Sequence, residues 1–254
     1  MRSTLIEPEI YQPVKMNETR QLAIRSYLDT KLVYLTFKRG MDILSALAVI
    51  LLVFPWLFPI LIVLIRLDSR GPVFFRQKRV GFLGKIFWCY KFRTMHVNDE
   101  ADTRQASNND PRVTGIGKFL RNTCLDELPQ FINVLLGHMS VVGPRPHMLK
   151  DSQEFSSVIA YYKFRNLVRP GITGMSQVRG CRGPATSFES IFRRYQWDAY
   201  YIRNIGFTLD FRIMAATGVL IIRSLLYKGK TMPIETSVED FQALATAAAV
   251  KKIA

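Results

Sequence analysis

Near the middle of the chain, Arg121–Gln130 reads RNTCLDELPQ, with two adjacent carboxylates, Asp126 and Glu127. Thr123 followed by Asp126 three residues on resembles a capping box, in which a hydroxyl caps a helix and an acid reaches back. A second frame starts the helix later, with Pro129 in its first position. In both frames the carboxylates lie at the positive end of a helix, where they stay ionised and where phosphate oxygens would also be stabilised. Neighbouring side chains on a helix point about 100° apart, so the pair can divide its work. One can act as nucleophile or base while the other holds a cation. The plain alternative is a capping acid plus a surface ion pair with Arg121.

Two rigid turns could serve the same chemistry. Val141–Pro146 (VVGPRP) and Arg169–Gly174 (RPGITG) fix Arg145 and Arg169 against Pro/Gly backbone. An arginine fork on a locked turn suits phosphate oxygens, although either turn is also an ordinary tight turn with an exposed Arg. Gly115-Ile116-Gly117 lacks the third glycine and the preceding strand of a dinucleotide site. Cys89, Cys124 and Cys181 are too scattered for a zinc site or disulfide framework and suit a reducing compartment. Cys124 reads as a small buried residue. The three histidines show no metal-ligand spacing.

These residues need a scaffold, and its most distinctive part is apolar. Ile43–Ile65 runs ILSALAVILLVFPWLFPILIVLI without a charge, about the length of a membrane-spanning helix. It starts too far into the chain, and lacks the cleavage site, for a signal peptide. Pro55 and Pro59 predict a break or kink near 54–59. Both flanks are basic: Lys31, Lys38 and Arg39 before, Arg66, Arg70, Arg76, Lys78 and Arg79 after. Lys/Arg-rich flanks stay on the cytoplasmic side, and both do so together only if the chain turns at the prolines and leaves by the face it entered. Each arm is then about 11 residues, roughly 17 Å of helix, enough for one leaflet. A kinked spanning helix is the alternative. Ser45 is a candidate for satisfying backbone freed at the turn.

The whole chain has 254 residues, Lys+Arg 35 against Asp+Glu 20, a net charge of +15 and 48% hydrophobic residues, with mean hydropathy +0.07. That composition excludes a disordered chain, and a single long apolar run excludes a polytopic membrane protein. The charge predicts anionic partners. From Arg66 to Arg93 eight Lys/Arg interleave with aromatics against one acid, Asp68. Such a run can stack on single-stranded nucleic acid or sit at a membrane interface. The adjacent apolar segment favours the membrane, and no nucleic-acid-binding motif is present. Lys85–Arg93 alternates like a strand; Glu18–Tyr34, Gly115–Gly137 on either side of a Pro, Glu189–Tyr201 and Asp210–Tyr227 read as helical. The last of these is too short to span and belongs in the core or on the membrane. Residues 99–112 read as an exposed polar loop.

Taken in order, KRGMDI before the apolar run, RLDSRGPVFFRQKRVG, YKFRTM, LDELPQFINVLLGHMSVVGPRP, VRPGITGMSQV and DAYYIRNIGFTLDFRIM resemble the bacterial sugar transferase family, over about residues 37–226. These are monotopic phosphoglycosyl transferases, and the chain resembles a short form of them. The resemblance implies an α+β, predominantly helical fold: a tail at 1–37, a re-entrant membrane helix at 38–66, a catalytic domain at 67–227 and a tail at 228–254. It implies transfer of a phosphosugar from a UDP-sugar to undecaprenyl phosphate, with Mg²⁺ and release of UMP, through a phosphosugar ester on an aspartate. Asp126 matches the nucleophile and Glu127 its metal-coordinating partner. Lys91, Arg121, Arg145 and Arg169 match cationic positions around the diphosphate or lipid phosphate. Asp198 matches a late acid, either active-site support or a structural ion pair. The implied place is the cytoplasmic face of the bacterial inner membrane, with anionic lipids rather than nucleic acid as further partners; a homo-oligomer is left open. Relatives often carry Ser-Pro at the membrane turn, where this chain has Phe54-Pro55, so the break falls at Pro55 or at Pro59.

Overall fold

The computed structural model describes residues 30–226 apart from 108, 182 and 186. The expected terminal tail at 228–254, and most of the helix expected over Glu18–Tyr34, lie outside the described residues. Helix α1 (Leu32–Leu52) and helix α2 (Phe54–Asp68) meet at Val53 with a bend of 64°. The cause is Pro55, second in α2: it has no N–H for Leu51 and its ring crowds that carbonyl. Around the bend Val53 N–H still reaches Val49 O at 2.9 Å, and Leu57 N–H reaches Val53 O at 3.0 Å. Pro59 lies inside α2 without breaking it, so the break belongs to Pro55, and Ser45 lies well before it.

The first arm is longer than the basic flanks suggested. It begins at Leu32, not 38, because its N-terminal turns are docked: Tyr34 Oη and Lys38 Nζ bind Asp210 Oδ2 at 2.6 and 2.7 Å. Further along, Asp42 Oδ1 accepts from Ser140 Oγ at 3.0 Å and Val141 N–H at 2.9 Å, and Arg39 donates to the carbonyls of Val134 and Leu135 at 2.8 and 3.2 Å. The outer faces of α1 and α2 remain apolar and exposed at Leu44, Leu51, Leu52, Ile60 and Val63, and Trp56 beside the bend is 78% exposed. No single helix among the described residues is long and apolar enough to cross a membrane; the bent pair passes that test jointly.

Strands β1 (Phe74–Val80) and β2 (Ile86–Phe92) form an antiparallel hairpin, as the alternation in Lys85–Arg93 predicts, with Phe75 opposite Lys91 and Gln77 opposite Cys89. Helix α3 (Gly115–Thr123) starts on Thr114, whose Oγ1 accepts from Gly117 N–H at 3.0 Å. A 3-10 turn (Leu125–Glu127) leads to the short helix α4 (Gln130–Leu135). Then come β3 (Ser140–Val142), α5 (Leu149–Val158), a 3-10 segment (Tyr162–Leu167), β4 (Gly171–Thr173) and α6 (Met175–Val178). β3 and β4 pair in parallel. Just past β3 the two backbones nearly touch: a Cβ on Gly143 would lie 2.4 Å from Arg169 O, so only glycine fits.

Helix α7 (Phe188–Arg203) carries a Ser187–Ser190 capping box, and helix α8 (Phe207–Leu226) closes the domain. Both helices were legible as amphipathic runs. α8 packs Ile213 into a core with Tyr34, Val142, Trp197, Tyr201 and Ile202, while Phe211, Ile222 and Leu226 stay exposed. Among the described residues the architecture is thus α+β and mostly helical, with two small sheets.

Candidate active site

Asp126 and Glu127 lie on the 3-10 turn between α3 and α4, each 8% exposed. Neither sequence frame is quite right. Thr123 does not cap; it ends α3, and its Oγ1 bonds back to Phe119 O at 2.9 Å and Leu120 O at 3.2 Å. Cys124 then turns left-handed, φ +58°, and stops the helix. It is half-buried on the cleft wall rather than a core residue. Pro129 is the N-cap of α4, one residue short of the later frame, so the carboxylates precede the helix instead of forming its first turn.

Cations reach this turn from two directions. β2 delivers Lys91, whose Nζ is 2.7 Å from Glu127 Oε1 and 3.9 Å from Asp126 Oδ2. Asn133 in α4 sets that strand's height by accepting from Tyr90 N–H at 2.9 Å and donating to Trp88 O at 2.7 Å. The turn after β3 delivers Arg145, which binds Glu127 with Nη2 on Oε1 at 2.5 Å and Nη1 on Oε2 at 3.2 Å. Burial works against the Glu127 charge, but Arg145 and Lys91 outweigh it and hold the carboxyl well below the usual range. Asp126 has no such grip: burial pushes it up to about 6, opposed by Lys91 and reinforced by the Glu127 charge.

The pair borders a cleft of about 490 Å³ that also takes in Arg79, Arg121, His147, Gln177 and Arg194. Arg121 does not form the surface ion pair; its Nε donates to Thr94 Oγ1 at 2.7 Å. Arg169 is not brought to the cleft. It faces away, donating to Gly137 O at 3.0 Å with its guanidinium over Phe82. Asp198 does not line the cleft either: it is 1% exposed and pairs with Arg165 at 2.7 Å, the structural alternative. Sequence reasoning passed over Arg79, yet the alternation of β1 and β2 contained it: Gln77, Arg79, Phe87, Cys89 and Lys91 face in while Arg76, Lys78, Ile86 and Trp88 face out. It also passed over Arg93, which donates through Nη2 to Ser69 O at 2.6 Å and Ser69 Oγ at 3.0 Å and through Nη1 to Arg70 O at 3.0 Å. Arg93 thereby holds the C-terminal end of α2 next to the strand carrying Lys91.

Among the described residues no group of three or more His, Cys, Asp and Glu is placed to hold a metal ion. The dyad offers two carboxylates, which suffices for Mg²⁺ when substrate phosphates and water complete its shell. Both Glu127 oxygens are already engaged. Asp126 and Glu127 are thus the residues that would hold the ion, with Lys91 and Arg145 as competitors for Glu127.

The chain belongs to the bacterial sugar transferase family, whose profile matches residues 33–224. Among its relatives, a Klebsiella pneumoniae protein named UDP-glucose:undecaprenyl-phosphate glucose-1-phosphate transferase is 45% identical over 72% of this chain and 39% of its own length. A protein of Aeromonas hydrophila named UDP-N-acetylgalactosamine-undecaprenyl-phosphate N-acetylgalactosaminephosphotransferase is 42% identical over 84% of this chain and 49% of its own. The exopolysaccharide production protein PSS of Rhizobium leguminosarum bv. phaseoli is 43% identical over 77% of this chain and 98% of its own. The chain spans less than half the length of the first two.

Proposed function

We propose that this protein transfers a sugar phosphate from a UDP-sugar to undecaprenyl phosphate, releasing UMP and starting assembly of a bacterial polysaccharide or glycoconjugate. The observation that carries the reading is the buried Asp126–Glu127 pair flanked by Lys91, Arg121 and Arg145 in one cleft. The names of the relatives support the substrates.

The reaction runs in two displacements. Asp126, ionised above about pH 6, needs no base to become a nucleophile. Its Oδ attacks the β-phosphorus of the UDP-sugar; the bond from that phosphorus to the bridging oxygen breaks, and UMP departs with the electron pair. The phosphosugar is then an acyl phosphate ester on Asp126. An oxygen of undecaprenyl phosphate attacks the same phosphorus, and Asp126 leaves as a free carboxylate. Lys91, Arg121 and Arg145 hold the phosphate oxygens in line, and positioning with charge neutralisation is what phosphoryl transfer requires. Glu127, with Asp126, would hold Mg²⁺, which when bound neutralises diphosphate charge.

The bent α1–α2 pair serves as a re-entrant anchor in one leaflet of the inner membrane, leaving the cleft on the cytoplasmic face among anionic headgroups. The apolar outer faces of α1, α2 and α8 support this placement. UMP detection over a panel of UDP-sugars, with undecaprenyl phosphate and Mg²⁺, tests the proposal: release with none of them refutes it, and the best donor names the sugar.

A further inference from the structure

Arg145 stands between two prolines. The segment Pro144–Arg145–Pro146 therefore has three carbonyls but a single N–H, and ring closure fixes φ at both flanks. What remains to orient the Arg145 side chain is where the carbonyls are held. Each has a donor: Gly171 N–H on Pro144 O at 3.0 Å, Arg165 Nη2 on Arg145 O at 2.6 Å and Arg79 Nη1 on Pro146 O at 3.1 Å. Arg79 also lines the cleft, but Arg165 does not; it is 4% exposed. Asp198 Oδ2 holds it from behind, accepting from Nε at 3.1 Å and Nη2 at 2.7 Å.

A fully buried ion pair contributes little net stability, because desolvation offsets the attraction. It does impose direction. One nitrogen, Arg165 Nη2, serves both Asp198 and the Arg145 carbonyl, so the pair fixes the backbone from which Arg145 reaches Glu127.

We propose that Arg165 is a positioning residue for the transfer, with Asp198 as its holder, acting through Arg145 on Glu127 and touching no substrate. The inference rests on the phosphotransferase reading given above. Arg165→Lys keeps the charge but replaces the rigid Nε and Nη2 fork on Asp198 with a single rotatable ammonium, so the donor to the Arg145 carbonyl loses its fixed direction. The expected result is a kcat lower by about 10- to 100-fold, as for a small misplacement of a reacting group, with KM for the UDP-sugar nearly unchanged. In an Arg145→Lys background the same substitution should cost less than about twofold, since the residue it acts through is gone. A general structural role would give equal losses in both backgrounds, and that result overturns the proposal.

A second readout needs no turnover. The rate at which phenylglyoxal modifies Arg145, mapped by mass spectrometry, should rise severalfold in Arg165→Lys while Arg121 modification stays constant. An unchanged Arg145 rate overturns the proposal as well. If Arg165→Lys does not fold, judged by thermal melting, Asp198→Asn carries the same two measurements. Absence of UMP release by the wild type would refute the functional reading alone, since the modification arm still decides the positioning role.

Discussion

Arg145 holds both carboxylate oxygens of Glu127, at 2.5 and 3.2 Å. Among the described residues, Lys91 is the one cation within 4 Å of the neighbouring Asp126, at 3.9 Å, while Arg145 and Arg121 act on it from further off. Two acids adjacent in sequence are thus made unequal: the gripped one is fixed as a charge, and the ungripped one keeps an oxygen to use.

The first consequence concerns Asp126→Asn. The substitution preserves shape and removes the nucleophile, so UMP release should fall by at least about a thousandfold. Intact-mass measurement after incubation with the UDP-sugar and Mg²⁺ should show a phosphosugar adduct on the wild type and none on the variant. Turnover within a few fold of wild type would refute the covalent route.

The second is a titration. Burial raises the Asp126 carboxyl to about 6, with the Glu127 charge adding to the rise. The acid is therefore protonated and inert as a nucleophile below that value and ionised above it. Carboxyl ¹³C NMR of the protein without divalent ions should place its midpoint near 6. Removing the like charge with Glu127→Gln should move the midpoint down; an upward move would contradict the assignment.

A third prediction tests the link between the hairpin and α2. Arg93 satisfies the carbonyls of Ser69 and Arg70 at the end of that helix. Arg93→Gln removes these part-buried hydrogen bonds from a charged donor and should destabilise the fold by about 1–3 kcal/mol. Thermal melting in detergent or nanodiscs measures the loss.

Topology supplies a fourth. In a cysteine-free background, single cysteines replacing Arg20 and Glu100 should both react with a membrane-impermeant maleimide only after the cytoplasmic face is opened. Labelling of the two from opposite sides would turn the bent pair into a spanning helix.

Much of this arrangement was legible beforehand, and what was not has physical reasons. Period-2 alternation gave β2, and apolar periodicity gave α7 and α8. The acid pair stood out by type alone. The helix start did not, because Cys124 adopts a left-handed backbone that cysteine rarely takes, ending α3 where a capping box was expected. Arg145 and Arg169 looked alike in sequence, each in a Pro/Gly turn. The parallel pairing of β3 with β4 separates them: Arg145 leaves β3 toward Glu127, and Arg169 enters β4 facing Gly137. Such long-range pairing has no local signature. The start of α1 was missed for a similar reason, since Asp210, which secures Tyr34 and Lys38, is far away in the chain.

Lys91 and Arg93 are two residues apart on one short stretch of extended chain, one on the dyad and the other on the end of α2. The distance between them is set by covalent geometry, so the stretch works as a ruler. The carboxylate pair and the C-terminal end of α2 are thereby tied to neighbouring positions of one strand. In the proposed reading, a phosphate on a lipid must therefore come up to a set height above the bent helix pair to be reached.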